Sequence, residues 1–110
     1  MTVFKSAAVA AVFGALCGLA LAPQVVAQGA ATVSIASFKF NPETVTAAPN
    51  AAITWTNTDG APHQIVVAAK NLKTPVINKG QSEQLKIADA GSYDYICGIH
   101  PSMKGKIVIK

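Results

Sequence analysis

From residue 31 onward, apolar side chains recur at every second position in stretches of four to seven residues, and turn-forming residues separate the stretches. That period belongs to strands with one buried face; the stripe of an amphipathic helix, at three-to-four spacing, is missing. Thr32–Ser37 puts Val33 and Ile35 inward. Phe38 and Phe40 then fall in the opposite phase, which predicts a bulge or bend near Ala36-Ser37. Asn41-Pro42-Glu43 reads as a turn and Thr44–Ala47 as a short strand closed by Pro49-Asn50. Ala51–Asn57 alternates again, with Ile53 and Trp55 on one face and Thr54 and Thr56 on the other. Beyond the loop Thr58–Pro62, Gln64–Ala68 is an apolar strand. Lys70–Gly80 predicts only an irregular edge segment, because Pro75 cannot donate to a central ladder. Ser82–Ile87 turns Leu85 and Ile87 inward, and Ser92–Cys97 sets Tyr93, Tyr95 and Cys97 on one face. Lys106–Ile109 ends the chain as a strand, after the loop Gly98–Met103. About seven short strands with frequent turns predict an all-β domain, a small antiparallel Greek-key sandwich or barrel.

The first residues follow another pattern. Met1–Lys5 carries one positive charge, and Ser6–Ala22 is uncharged and rich in Ala, Val, Leu and Gly. Pro23 breaks the run, and Val25-Val26-Ala27 offers a small-residue processing site. A charged start, an apolar middle and a small-x-Ala end describe a secretory signal peptide over residues 1–27, leaving a domain over residues 28–110. The apolar run is somewhat short for a membrane span, which takes about 20 residues. Cleavage after Ala30 fits the same rule less directly. Export to the periplasm follows, with no membrane attachment once the signal is removed.

Composition narrows the function. Half of the 110 residues are apolar and 13% are charged, which excludes a disordered chain. All nine basic residues are lysines, and without arginine to grip guanine or phosphate through two parallel bonds, sequence-specific nucleic-acid binding is not expected. Removal of the signal takes away Cys17 and Met1, so the exported domain keeps one cysteine, Cys97, one methionine, Met103, and two histidines, His63 and His100. A lone thiol in an oxidising compartment cannot form a disulfide within its own chain.

Three of these four residues lie in one loop, Cys97-Gly98-Ile99-His100-Pro101-Ser102-Met103, and His63 stands at a strand start 34 positions before Cys97. Each alone reads blandly, as a loop histidine, a buried thiol or a gap-filling methionine. Together they supply two imidazoles and a thiolate with a weak axial thioether, the ligand set of a blue-copper electron-transfer site. Thiolate and thioether suit Cu(I), and imidazole suits both oxidation states, so the set predicts one copper ion cycling between Cu(II) and Cu(I). Copper oxidases and reductases need further histidines, and a binuclear centre needs a second cysteine, so an enzyme is not expected. A copper carrier for delivery or storage would use the same four side chains, and zinc could occupy them.

Three segments carry a resemblance to the cupredoxins, and within them to the amicyanin branch: Phe38-Lys39-Phe40-Asn41-Pro42, the run from Trp55 to His63, and the run from Tyr93 to Gly105. The Cys-x2-His-x2-Met spacing resembles the short ligand loop of that branch; plastocyanin and pseudoazurin set two more residues between the second histidine and the methionine. Gln64 departs from the asparagine usual after the first histidine. The resemblance implies a monomeric electron carrier in which His100 is the solvent-facing ligand. Gly98, Ile99, Pro101, Ser102, Ala61 and Pro62 then form an apolar docking patch. A c-type cytochrome or a periplasmic dehydrogenase is the partner implied. Lys70, Lys73, Lys79, Lys104 and Lys106 read first as solubilising charge, with steering of an acidic partner as a second use.

Overall fold

A computed structural model describes residues 29–110, so the expected signal peptide over residues 1–27 lies outside the described residues. The strands are β1 (Ala31–Ala36), β2 (Lys39–Asn41), β3 (Thr44–Ala47), β4 (Ile53–Asn57) and β5 (Ile65–Val67). A single 3-10 turn, Ala68–Lys70, leads to β6 (Leu72–Lys73), followed by β7 (Ser82–Leu85), β8 (Gly91–Cys97) and β9 (Lys104–Ile109). They form two sheets, a four-stranded one in the order β2-β1-β4-β7 and a five-stranded one in the order β3-β9-β8-β5-β6. The expected all-β sandwich is what forms. Most neighbours pair antiparallel, and each sheet also holds one parallel pair, β1 with β4 and β3 with β9.

Alternation decides which residues are buried. Val33 and Ile35 of β1 and Ile53 and Trp55 of β4 face Ile65 and Val67 of β5, Tyr95 and Cys97 of β8, and Ile107 and Ile109 of β9 across one continuous core. Trp55 and Tyr95 are the largest side chains in it. The indole N–H of Trp55 donates to the Tyr95 hydroxyl at 3.1 Å, so the polar end of each ring is satisfied within the apolar layer. Burying each ring contributes about 1.5–3 kcal/mol.

One segment differs from the expectation. At Ser37-Phe38 there is no bulge. Ala36 pairs with Lys39, and the two residues between them both have positive φ, 53° and 58°, making a two-residue hairpin turn. Phe40 is thereby returned to the core while Phe38 stays 51% exposed. The Lys70–Gly80 segment is irregular, as expected, but it still fastens to the sheet. Leu72–Lys73 pairs with β5, and Ile77 exchanges both backbone hydrogen bonds with His63, at 3.0 and 2.7 Å.

Candidate metal centre

Three neighbouring strands of the five-stranded sheet, β5, β8 and β9, meet at one edge of the sandwich, β5 and β9 by their first residues and β8 by its last. His63 lies just before β5, Cys97 is the last residue of β8, and His100 and Met103 belong to the connection from β8 to β9. That connection is closed by its own backbone: Met103 N–H donates to the His100 carbonyl at 2.9 Å and Cys97 N–H to the Met103 carbonyl at 3.1 Å. Gly98 N–H donates to the Gln64 carbonyl at 2.9 Å and joins the connection to the His63 segment.

The result is a convergence of donors. Cys97 Sγ lies 3.7 Å from His63 Nδ1 and 3.7 Å from His100 Nδ1. One ligand atom from each residue falls within 4.8 Å of the others. Two ligands at about 2.0–2.3 Å from a common ion, with bonds diverging by roughly 115°, stand about 3.4–3.9 Å apart, which the two 3.7 Å separations match. The donor set and its spacing therefore fit a single metal ion. Met103 is buried beside the group and its backbone is tied to both His100 and Cys97. Cys97 and His63 have no accessible surface, whereas His100 is half-buried.

Sequence reasoning missed two contributors. Asp59, read as a loop residue, brings its carboxylate to His63 Nε2 at 3.0 Å and accepts the backbone N–H groups of Ser37 and Phe38 at 2.6 and 2.8 Å. Its carboxyl is held below the ordinary carboxylate range, chiefly by the Phe38 N–H, against the opposing effect of burial and with help from Ser37 and His63. The second is Phe38, whose ring stands edge-on to both imidazoles, 5.5 Å from His63 and 5.0 Å from His100. The spacing of Asp59, four residues before His63, was the one available signal. Gln64, the noted departure, turns its amide to the Thr74 carbonyl at 2.9 Å and leaves the loop-to-loop tie to its backbone.

The family model described as a cupredoxin-like domain matches residues 7–109. The chain belongs to the cupredoxin-like family. It is 35% identical to amicyanin-alpha of Methylorubrum extorquens over 119 aligned positions, which cover the whole of both chains. It is 36% identical to amicyanin of Paracoccus denitrificans, over 77% of this chain and 69% of that one. Among solved structures, a Cu(I) form of an amicyanin variant is 37% identical, with a TM-score of 0.69 over 77% of this chain and 86% of the other. The candidate donors of this cupredoxin therefore lie at one end of a fold shared with amicyanin, a variant of which is known in a Cu(I) form.

Proposed function

We propose that His63, Cys97 and His100 would hold one copper ion, with Met103 as a weaker fourth ligand, making the protein a one-electron carrier and not an enzyme. The convergence of two imidazole nitrogens and one thiol sulfur carries this reading. Copper held there supplies one-electron exchange between Cu(II) and Cu(I). The side chains do the rest. His63 is sealed under the loop, and its neighbours fix it from two sides, Asp59 at Nε2 and the backbone of Ile77. His100 reaches the surface and offers the short route for an electron. Around it Phe38 and Ile99 are 51% and 40% exposed, and Pro101 and Ser102 are exposed beside them. Such a small apolar rim suits brief docking, since transient redox interfaces are small.

The cleft next to Met103, about 440 Å³, is lined by Phe38, Phe40, Ser102, Lys39, Lys104 and Glu43. Two lysines at its border favour a partner with an acidic rim, and a c-type cytochrome or a periplasmic dehydrogenase has the matching redox chemistry. The N-terminal pattern supports cleavage after Ala27 and a protein working in the periplasm. Among the described residues no helix is long and apolar enough to cross a membrane.

The test is the visible spectrum of the copper-loaded, oxidised protein. An intense blue thiolate-to-copper band, absent in Cys97→Ser, is the expected outcome. A colourless Cu(II) form of the unmutated protein rules the proposal out.

A further inference from the structure

Phe38 occupies a position that is unfavourable twice over. Among the described residues it is the most exposed large apolar side chain, at 51%. It also shares with Ser37 a two-residue corner in which both φ angles are positive, 58° and 53°. Asparagine, aspartate and glycine suit such corners, and a bulky residue with a Cβ does not. The corner is braced from a distance: Asp59 accepts the backbone N–H of Ser37 at 2.6 Å and that of Phe38 at 2.8 Å. An apolar ring in water, on a disfavoured backbone that needs outside support, points to a task for the ring, because strain of this kind collects at functional sites.

The surroundings of the ring indicate that task. It stands edge-on to both imidazoles, with centroids 5.0 Å from His100 and 5.5 Å from His63. Behind them lies Cys97 Sγ, 3.7 Å from each Nδ1 and without accessible surface. The same phenylalanine lines the cleft beside Met103, where Lys39 and Lys104 outnumber Glu43 and so attract small anions. Ser102, exposed at that cleft, has too little bulk to serve as a wall. Phe38 thus touches the donor group and the anion-attracting cleft at once.

We propose that Phe38 is a gate, a specificity-determining side chain that keeps small solutes, anions above all, away from the imidazole pair and the sulfur behind it. A metal ion held there then exchanges electrons with a partner while ligands arriving through the cleft are turned away. This rests on the copper reading above only for its consequences in the loaded protein; the barrier itself belongs to the metal-free chain. It is also separate from docking, since it acts in the isolated protein.

The experiment compares two thiol reagents of different size on Cys97 in metal-free protein, methyl methanethiosulfonate and an aromatic disulfide, and then follows copper loss to cyanide after loading. The main variant is Phe38→Gly, which removes the ring and suits the positive φ of the corner. Its melting temperature equals or exceeds that of the unmutated protein. Methanethiosulfonate reacts about tenfold faster or more, whereas the aromatic disulfide, which waits for the Gly98–Met103 connection to lift, keeps its rate. Copper loss to cyanide quickens by a similar factor. Phe38→Tyr keeps the ring and returns all three rates to those of the unmutated protein. Phe38→Ala gives the same selective acceleration and replaces the glycine variant if that one does not fold. A lowered melting temperature with both thiol reagents accelerated makes Phe38 a packing residue and overturns the proposal. A folded ring-less variant whose three rates match the unmutated protein overturns it too. If the unmutated protein holds no copper while the small reagent alone gains on the ring-less variant, the electron-carrier reading falls and the gate stands.

Discussion

Tyr95 shows what the core demands of a single polar atom. Its ring packs against those of Trp55 and Phe40, with centroids 5.4 and 4.7 Å apart, and its hydroxyl accepts the Trp55 N–H. Burial raises its ionisation to about 12, outweighing the Trp55 N–H bond that favours the anion. In the unfolded chain the same phenol ionises near pH 10. The folded form therefore keeps its proton over an interval in which the unfolded form loses one. Stability is unaffected by this group below pH 10 and falls as pH rises toward 12, by about 1.4 kcal/mol for each pH unit. Tyr95→Phe should abolish that alkaline loss. The variant is itself less stable at neutral pH by about 1–3 kcal/mol, because the buried Trp55 N–H has lost its acceptor. Urea midpoints of the two proteins at pH 9 and pH 11.5 give both numbers. Convergence of the two proteins' curves with rising pH is the expected result, and parallel curves contradict it.

At the level of strands, cross-strand pairing explains why a glycine stands in the middle of β9. Gly105 lies opposite Tyr95 in the β8–β9 ladder, and a Cβ at Gly105 would come within 2.5–2.7 Å of the Tyr95 ring. The ring lies over the glycine, so Gly105→Ala forces the tyrosine off its rotamer and off Trp55. A loss of about 1–3 kcal/mol in urea unfolding is expected, as for other overpacked sites, together with a changed near-ultraviolet signal from the Trp55–Tyr95 pair. The strands themselves were legible in the sequence where one face is buried: Ile53 and Trp55, or Tyr95 and Cys97, alternate with polar residues and leave little choice. The Cys97–Met103 loop was legible because residues 28–110 hold so few sulfur and imidazole groups that their clustering is informative. The Ser37-Phe38 hairpin was not legible, since neither residue favours positive φ and the turn depends on an aspartate 21 and 22 positions further on. Alternation also carries no information on which distant strand will be a neighbour, so the parallel partnerships of β1 with β4 and β3 with β9 emerge only in three dimensions.

For the molecule as a whole, the division of labour between the sheets matters most. The five-stranded sheet supplies all four proposed ligands, and the four-stranded sheet supplies the groups that brace them, Asp59 and Phe38. Charge follows a related division. Lys70 and Lys106 are joined to Asp89 and Asp94, at 2.6 and 2.8 Å, so two of the lysines first read as solubilising or steering groups are already engaged on the flank. Lys39 and Lys104, exposed at the cleft beside Met103, stand closer to the surface an electron would cross. The complete enclosure of Cys97 has a further consequence. A maleimide or an aromatic disulfide cannot meet its sulfur until the lid from Gly98 to Met103 lifts, so the thiol is a chemical stopwatch for that breathing motion. Followed on the peptide carrying Cys97, modification of the metal-free protein should run at least about a hundredfold slower than in urea, the ratio expected when opening costs some 3 kcal/mol or more. Equal rates would mean that the lid stands open.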